Sequence, residues 1–330
     1  MNYKFLGRTG IKVSALCFGT MTFGAEADEE SSAVLFRACR EAGVNFFDCA
    51  DLYAGVRSEE ILGRLIKDCR DDIVITSKVY FASSADINAM GASRRHIMTA
   101  VEGSLRRLGT DRIDIYYIHR FDDRTPLEET LRALDDLVRQ GKVLYPGASN
   151  FAAWQTAKAL GISAARGWTP FYCLQPMYSL VKRQAEVEIL PMALSENLGV
   201  VPYSPLAGGL LSGKYGVNRR PESGRLTSHK ISQARYGAPH YYEAADRFTA
   251  FARERGHDPA ALAIAWVGGH PAVTAPIIGA RNVTQLRACL MAADIAMTAS
   301  LREEISALSP EPPPATDWNE ERTAFTFGVR

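Results

Sequence analysis

The sequence predicts an α/β chain folded as a closed (β/α)8 TIM barrel, with an N-terminal hairpin, a long loop after the seventh strand and a C-terminal tail over the barrel mouth. Eight short apolar, β-leaning runs recur along the chain, and segments of helical period lie between them. The runs read as strands buried on both faces, which implies parallel strands joined by helical crossovers. Eight such units in 330 residues fit a closed barrel better than an open doubly wound sheet, and residues 1–330 are expected to form one domain.

The elements follow in order. Residues 3 to 14, with Gly7 to Gly10 between two short runs, read as a hairpin able to plug the barrel floor. The strand runs are ALCFG (15 to 19), NFFD (45 to 48), IVITSK (73 to 78), DIYYIH (114 to 119), VLYPGAS (143 to 149), FYCLQ (171 to 175), VVPYS (200 to 204) and APIIG (275 to 279). The first helix is expected to bury Val34, Ala38 and Ala42 and to end at Gly43; another buries Ile97, Val101, Leu105 and Leu108 and ends at Gly109. Thr125-Pro126-Leu127-Glu128 reads as a capping box opening a helix through Leu131, Leu134 and Val138 to Gly141, and Asp258-Pro259 opens a later helix. Pro146 lies inside the fifth run, where a ladder donor is normally needed, so a bulge or bend is expected there. Residues 211 to 241 read as a long polar loop rich in Gly and Arg, and long loops in compact domains tend to be functional. From Ser309 the chain is too proline-rich to be regular; Trp318, Phe325 and Phe327 in it are expected over one barrel mouth.

Composition narrows the function. Lys and Arg number 38 against 37 Asp and Glu, so no charge excess attracts nucleic acid or an anionic membrane, and a small near-neutral partner is expected. The six cysteines are scattered without a CxxC pair or a His at zinc-finger spacing, which reads as buried free thiols in a reducing compartment and no metal site. MNYKFLGRTG lacks the apolar core of a signal peptide, and no run nears the roughly 20 apolar residues that span a bilayer, so a cytoplasmic location is expected. No oligomeric state is specified.

Active sites of such barrels lie at the C-terminal strand ends. There the second strand ends on Asp48, with Tyr53 five positions on, the third on Lys78 and the fourth on His119. A phenol ionises at about 10, and a nearby ammonium lowers that value by favouring the phenolate. Lys78 can supply the charge, Asp48 can hold the ammonium, and His119 can donate to a substrate oxygen. Taken singly, these are a structural ion pair, a satisfied core histidine and a loop tyrosine. Together at three successive strand ends they suit protonation of an oxygen that is gaining negative charge.

The chain resembles the aldo-keto reductase superfamily, through FFDCADLYAGVRSEEILG, ITSKV, DRIDIYYIHRFD, GASNF, QPMYSL, VPYSPLAGGLLSGKY and IIGARNVTQL. The resemblance implies a (β/α)8 barrel that binds NADPH or NADP+ without a Rossmann domain, in keeping with the absence of a GxGxxG. By resemblance Asp48, Tyr53, Lys78 and His119 match the catalytic tetrad, with Tyr53 as general acid. It further implies that Gly19, Thr20, Met21 and Asp48 border the cofactor, that Ser149, Asn150 and Gln175 meet the nicotinamide amide, and that Tyr203 stacks on the ring. Ser204, Leu206, Gly208 and Lys214 fall in the matching pyrophosphate loop, although Gly208 and Gly209 taken alone are an ordinary turn. Gly279, Arg281 and Gln285 fall at the adenosine end, where Arg281, beside a helix N-terminus, is expected to read a 2′-phosphate.

Ala288 and Cys289 stand where many relatives carry Glu and Asn for the adenine, and Arg120 follows His119 where other branches vary. Cys49 follows Asp48 and by strand alternation points away from the site. Pocket walls are expected from Phe23, Phe81, the 211 to 241 loop and the tail, suited to a small carbonyl substrate with some hydrophobic body. Two other readings stand beside the reductase: a non-catalytic nicotinamide-binding regulatory subunit that partners a channel, and an isomerase or lyase using Lys78 as a Schiff base.

Overall fold

The structure is a computed structural model that describes residues 1–82 and 85–316. Strands β1 (Tyr3–Phe5) and β2 (Lys12–Ser14) form the expected antiparallel hairpin. It closes the barrel floor: Leu6 and Val13 are fully buried among Cys17, Phe46, Ile115, Tyr117, Cys173, Val201 and Ala275. Gly7 makes this fit possible. It has φ +51°, and a Cβ there would lie 2.4 Å from the Gly199 nitrogen.

The barrel alternates β3 (Cys17–Gly19), α1 (Glu29–Glu41), β4 (Phe46–Asp48), α2 (Arg57–Ile66), β5 (Val74–Val79), α3 (Arg94–Leu108), β6 (Ile113–Ile118), α4 (Leu127–Arg139) and β7 (Val143–Ser149). It continues through α5 (Ala153–Arg166), β8 (Cys173–Gln175), α6 (Ile189–Ser195), β9 (Gly199–Val200), α7 (Arg225–Ser228), α8 (Lys230–Tyr236), α9 (Pro239–Glu254), α10 (Pro259–Gly268), β10 (Ile277–Ile278), α11 (Val283–Leu290) and α12 (Ala299–Ser306). Each of the eight predicted runs contributes one strand. All pair in parallel in the order β10-β3-β4-β5-β6-β7-β8-β9, and the ring is completed by Thr274 N–H to Val200 C=O and Ile277 N–H to Pro202 C=O, both 2.9 Å.

The pleat sorts side chains into two layers. Phe46 and Asp48 of β4, Thr76 and Lys78 of β5, and Ile115 and Tyr117 of β6 face the barrel interior, whereas Phe47, Ile75, Tyr116 and Ile118 join the core beneath the helices. Cys49 lies in that outer core, as strand alternation predicted.

Several expectations need correction. Strand β7 runs unbroken through Pro146, which pairs with Tyr116; β8 begins pairing only at Gly147–Cys173, so the missing donor falls beyond the ladder, and the Pro146 carbonyl accepts from the Tyr172 amide. Helix α1 buries Leu35, Phe36 and Cys39 and leaves Val34 37% exposed, because the larger Phe36 takes the core position against Phe47 with ring centroids 4.9 Å apart. Thr125 is not a cap: Pro126 occupies the N-cap of α4 and the Thr125 hydroxyl donates to Asp122. Asp258 does cap α10, accepting from the Ala260 and Ala261 amides. The 211 to 241 segment is not a bare loop, since α7, α8 and the start of α9 fall within it. Phe23 is fully buried against Phe18 and presents no surface to a substrate. Trp318, Phe325 and Phe327 lie outside the described residues. No helix among the described residues is long and apolar enough to cross a membrane.

Candidate active site

At the C-terminal barrel mouth Lys78 is wholly buried and Asp48 nearly so. A buried ion pair is sustained only when its remaining hydrogen-bonding capacity is met. Here it is met on both sides. Lys78 Nζ donates to Asp48 Oδ2 (2.7 Å), to the Cys49 carbonyl (2.6 Å) and to the Tyr53 hydroxyl (3.2 Å). Asp48 Oδ1 accepts from Thr76 Oγ1 (2.7 Å) and Gln175 Nε2 (2.8 Å). Burial disfavours the ammonium, but Asp48, then Tyr53, outweigh it, so the Lys78 pKa is raised and the charge is kept.

Tyr53 leaves β4 through a turn in which its amide donates to the Ala50 carbonyl at 3.2 Å. Beyond it Ala54, Gly55 and Val56 all have positive φ (51°, 60° and 75°). A β-branched residue in the left-handed region is strained by roughly 1–2 kcal/mol. Val56→Gly is therefore expected to raise stability by up to about 1 kcal/mol, the gain being reduced by the entropy glycine adds to the unfolded chain. An unchanged or lowered urea midpoint would show that the strain is not felt there.

The phenol departs from the sequence expectation. Burial drives the Tyr53 pKa up to about 12; Lys78 opposes this only in part, with Asp48 working against it. Tyr53 therefore stays protonated across neutral pH, the form a proton donor needs. His119, its ring centroid 6.2 Å from that of Tyr53 and 5.2 Å from that of Phe81, is pushed down to about 3 by burial and by Lys78. The imidazole is neutral, and its buried Nδ1 has no partner among the described residues.

The next strand ends meet this group. Tyr203 Oη donates to Asn150 Oδ1 (2.8 Å), Asn150 Nδ2 donates to Ser149 Oγ (3.0 Å) and to the His119 carbonyl (2.9 Å), and Ser149 Oγ donates to the Gln175 carbonyl (3.0 Å). The Gln175 amide nitrogen is engaged by Asp48 as well, which leaves its side-chain oxygen. Near β3, Thr20 is buried and bonds to the Asp48 carbonyl and Ser58, Gly19 is buried against Ile277, and Met21 is exposed.

After β9 the backbone turns through Ser204 (φ 59°) and Ala207 (φ 50°), then Gly208 and Gly209 at φ 69° and 100°, before exposed Lys214; Leu206 caps the short 3-10 segment that holds both glycines. After β10, a Cβ on Gly279 would meet nothing within 4 Å. Arg281 is exposed, and Asn282 caps α11 by accepting from the Gln285 amide. Gln285 Oε1 in turn accepts from the Arg281 amide at 3.0 Å. Cys289 is buried, and Ala288 is partly so.

A sequence profile described as Aldo/keto reductase family matches residues 15–309. The chain belongs to the aldo/keto reductase family. Such reductases generally use nicotinamide cofactors. An uncharacterized oxidoreductase of Bacillus subtilis, YrpG, is 37% identical over 94% of this chain and 97% of its own length. A probable voltage-gated potassium channel subunit beta of Oryza sativa is 36% identical over 96% and 99% respectively. Versiconal hemiacetal acetate reductase of Aspergillus parasiticus is 33% identical over 90% and 94%.

Three residues of this aldo/keto reductase escaped the sequence reading. Thr76, which holds Asp48, could have been found from period-2 alternation, since it stands two residues before Lys78 on the same face. Glu59 and Asp51 are wholly buried acids behind the barrel wall, and no local pattern marked them.

Proposed function

We propose that this chain transfers a hydride between NADPH and the carbonyl carbon of an aldehyde or ketone, reversibly, with Tyr53 as general acid. The observation that carries it is the Lys78 ammonium bonded at once to Asp48 and to the Tyr53 hydroxyl. When bound, the nicotinamide supplies the hydride. Tyr53 then protonates the oxygen as it gains negative charge, and Lys78 stabilises the phenolate left behind. Asp48 keeps the ammonium in place, with Thr76 and Gln175 fixing the carboxylate. His119, neutral, offers an N–H to the carbonyl oxygen.

The site's chemistry fits the cofactor. Ser149, Asn150 and Gln175 present hydroxyl and amide groups that complement a carboxamide, and Tyr203 offers a ring face. Gly279 leaves open space for backbone approach, and Lys214 and Arg281 are exposed cations. At the mouth, Phe81 edges His119, while Phe121 meets Phe151 and Trp154 with centroids 5.2 Å and 6.2 Å away, which suits a carbonyl with a hydrophobic body.

NADPH over NADH is assigned to Arg281, an exposed residue two positions before α11 begins. A charge-assisted hydrogen bond is worth about 1.5–3 kcal/mol, so Arg281→Ala is expected to weaken NADPH about ten- to a hundredfold and NADH little. Cofactor oxidation against a panel of aldehydes and ketones, run with both cofactors and both proteins, tests the whole reading. No turnover of any carbonyl removes the reductase, and equal losses for the two cofactors remove Arg281 as the phosphate reader.

The Oryza sativa relative, a probable voltage-gated potassium channel subunit beta, favours a second reading, a nicotinamide-binding subunit that regulates a channel. Cofactor fluorescence that changes on binding without turnover would select it. A Schiff-base role for Lys78 is disfavoured because its amine is held protonated with all three donors engaged, and a protonated amine is no nucleophile. The absence of borohydride trapping on Lys78 would agree.

A further inference from the structure

Asp51 is fully buried, and apart from the adjoining Leu52 amide, which favours the ionised form, neither carboxylate oxygen has a hydrogen-bond partner among the described residues. Buried acids in folded proteins are nearly always paired, so an exception calls for a reason. Its place in the chain is informative. Asp51 lies inside the Ala50–Tyr53 turn, between the Cys49 carbonyl gripped by Lys78 and the tyrosine that contacts the same ammonium.

The groups acting on it come from four elements. Glu59 of α2 is wholly buried and accepts from Ser77 Oγ of β5 (2.5 Å) and Arg107 Nε of α3 (2.7 Å). Tyr116 of β6 is also wholly buried, its hydroxyl has no partner among the described residues, and the charge of Asp51 acts on it. Lys78 acts from the barrel side. Two acids thus share one guanidinium, and Glu59 already holds it. Burial first and the Glu59 charge second raise the Asp51 carboxyl to about 7, with Arg107, Lys78 and the Leu52 amide pulling it down less.

We infer that Asp51 is a positioning residue for Tyr53: protonated, it lets the turn rest against the Glu59–Tyr116 wall, and on ionising it draws the turn outward and the tyrosine hydroxyl off Lys78. The inference rests on the reading of Tyr53 as proton donor. Movement of the turn is eased on its far side, where Ala54 and Val56 already occupy strained left-handed conformations. An ionised Asp51 left as it stands would face the Glu59 carboxylate with only the Leu52 amide to favour its charge, so a small outward shift toward water relieves it.

The sign is set by folding. The folded pKa of about 7 lies above the unfolded value of about 3.9, so the ionised form is disfavoured by the native state. Stability falls as pH climbs between those two values and is level above them.

The reductase rate of the wild type is expected to fall through an ionisation at about 7, by about tenfold or more, the scale on which misplacing a reacting group costs rate. Asp51→Asn, uncharged at every pH, is expected to keep the acid-side rate and lack that limb. Glu59→Gln removes the opposing charge and should move the limb to lower pH. An Asp51→Asn profile that superimposes on the wild type, or a limb that Glu59→Gln leaves in place, overturns the inference. Carbon NMR of ring-labelled tyrosine follows Tyr53 without any turnover: its resonance should shift through the same ionisation in the wild type. A constant Tyr53 resonance overturns the positioning role even in an active reductase, whereas a responsive resonance in a protein that reduces no carbonyl sinks the reductase reading alone. Should Asp51→Asn fail to fold, the Glu59→Gln protein and the wild-type resonance decide.

Discussion

Tyr53→Phe is expected to lower carbonyl reduction by about 10²- to 10⁴-fold while leaving cofactor affinity near wild type, because it deletes one proton donor and little else. The hydroxyl has one contact within the tetrad, the 3.2 Å bond from Lys78 Nζ, and phenylalanine fills nearly the same volume. Single-turnover reduction, where chemistry limits the observed rate, is the measurement to make. With its pKa held up at about 12, the phenol does not ionise across neutral pH, so this residue adds no limb of its own to the rate profile there. Near wild-type chemistry in the variant would mean that another group protonates the oxygen, and the proposed mechanism would have to be abandoned.

Lys78→Met is expected to remove activity to a similar or greater extent and to cost stability as well. Asp48 would keep its bonds from Thr76 and Gln175 but lose its counter-charge, and breaking a buried pair from one side typically costs about 3–5 kcal/mol. Because folding raises the Lys78 pKa, the stability contributed by the pair is complete below the unfolded lysine value of about 10.4 and fades as pH rises through the folded one. Asp48→Asn should be gentler on stability and still harmful to rate. The double variant closes the cycle: if the effects on kcat simply add, the two residues do not act as a unit.

The barrel was legible because strand burial on both faces is written in composition, and the strand-end residues stand out as polar groups closing apolar runs. Convergence of Asp48, Lys78 and Tyr53 follows from parallel register, which topology alone supplies. Other features depend on neighbours that no local window contains. Pro146 is harmless only because β8 starts pairing one residue later, and Val34 loses the core to Phe36 only because Phe47 stands opposite. Phe23, read as a pocket wall, turns inward onto Phe18. The engagement of Gln175 by Asp48 joins residues 127 positions apart, a distance across which sequence pattern carries no signal.

The joint between β9 and β10 has a consequence for motion. Each strand is two residues long, and Pro202 and Pro276 beside them have no amide hydrogen to give, so this is the thinnest place in the ring. Amide exchange in the barrel should begin there, through local opening at a cost well below global unfolding. The loop from Ser204 to Lys214 departs on one side of the joint and the loop from Gly279 to Gln285 on the other. A ligand touching both loops would act as a staple across the thinnest edge, and by mass action it would add about 2.7 kcal/mol of protection at a hundred times its Kd. The part of the barrel with the weakest internal bonding would then be the part whose order depends most on what is bound.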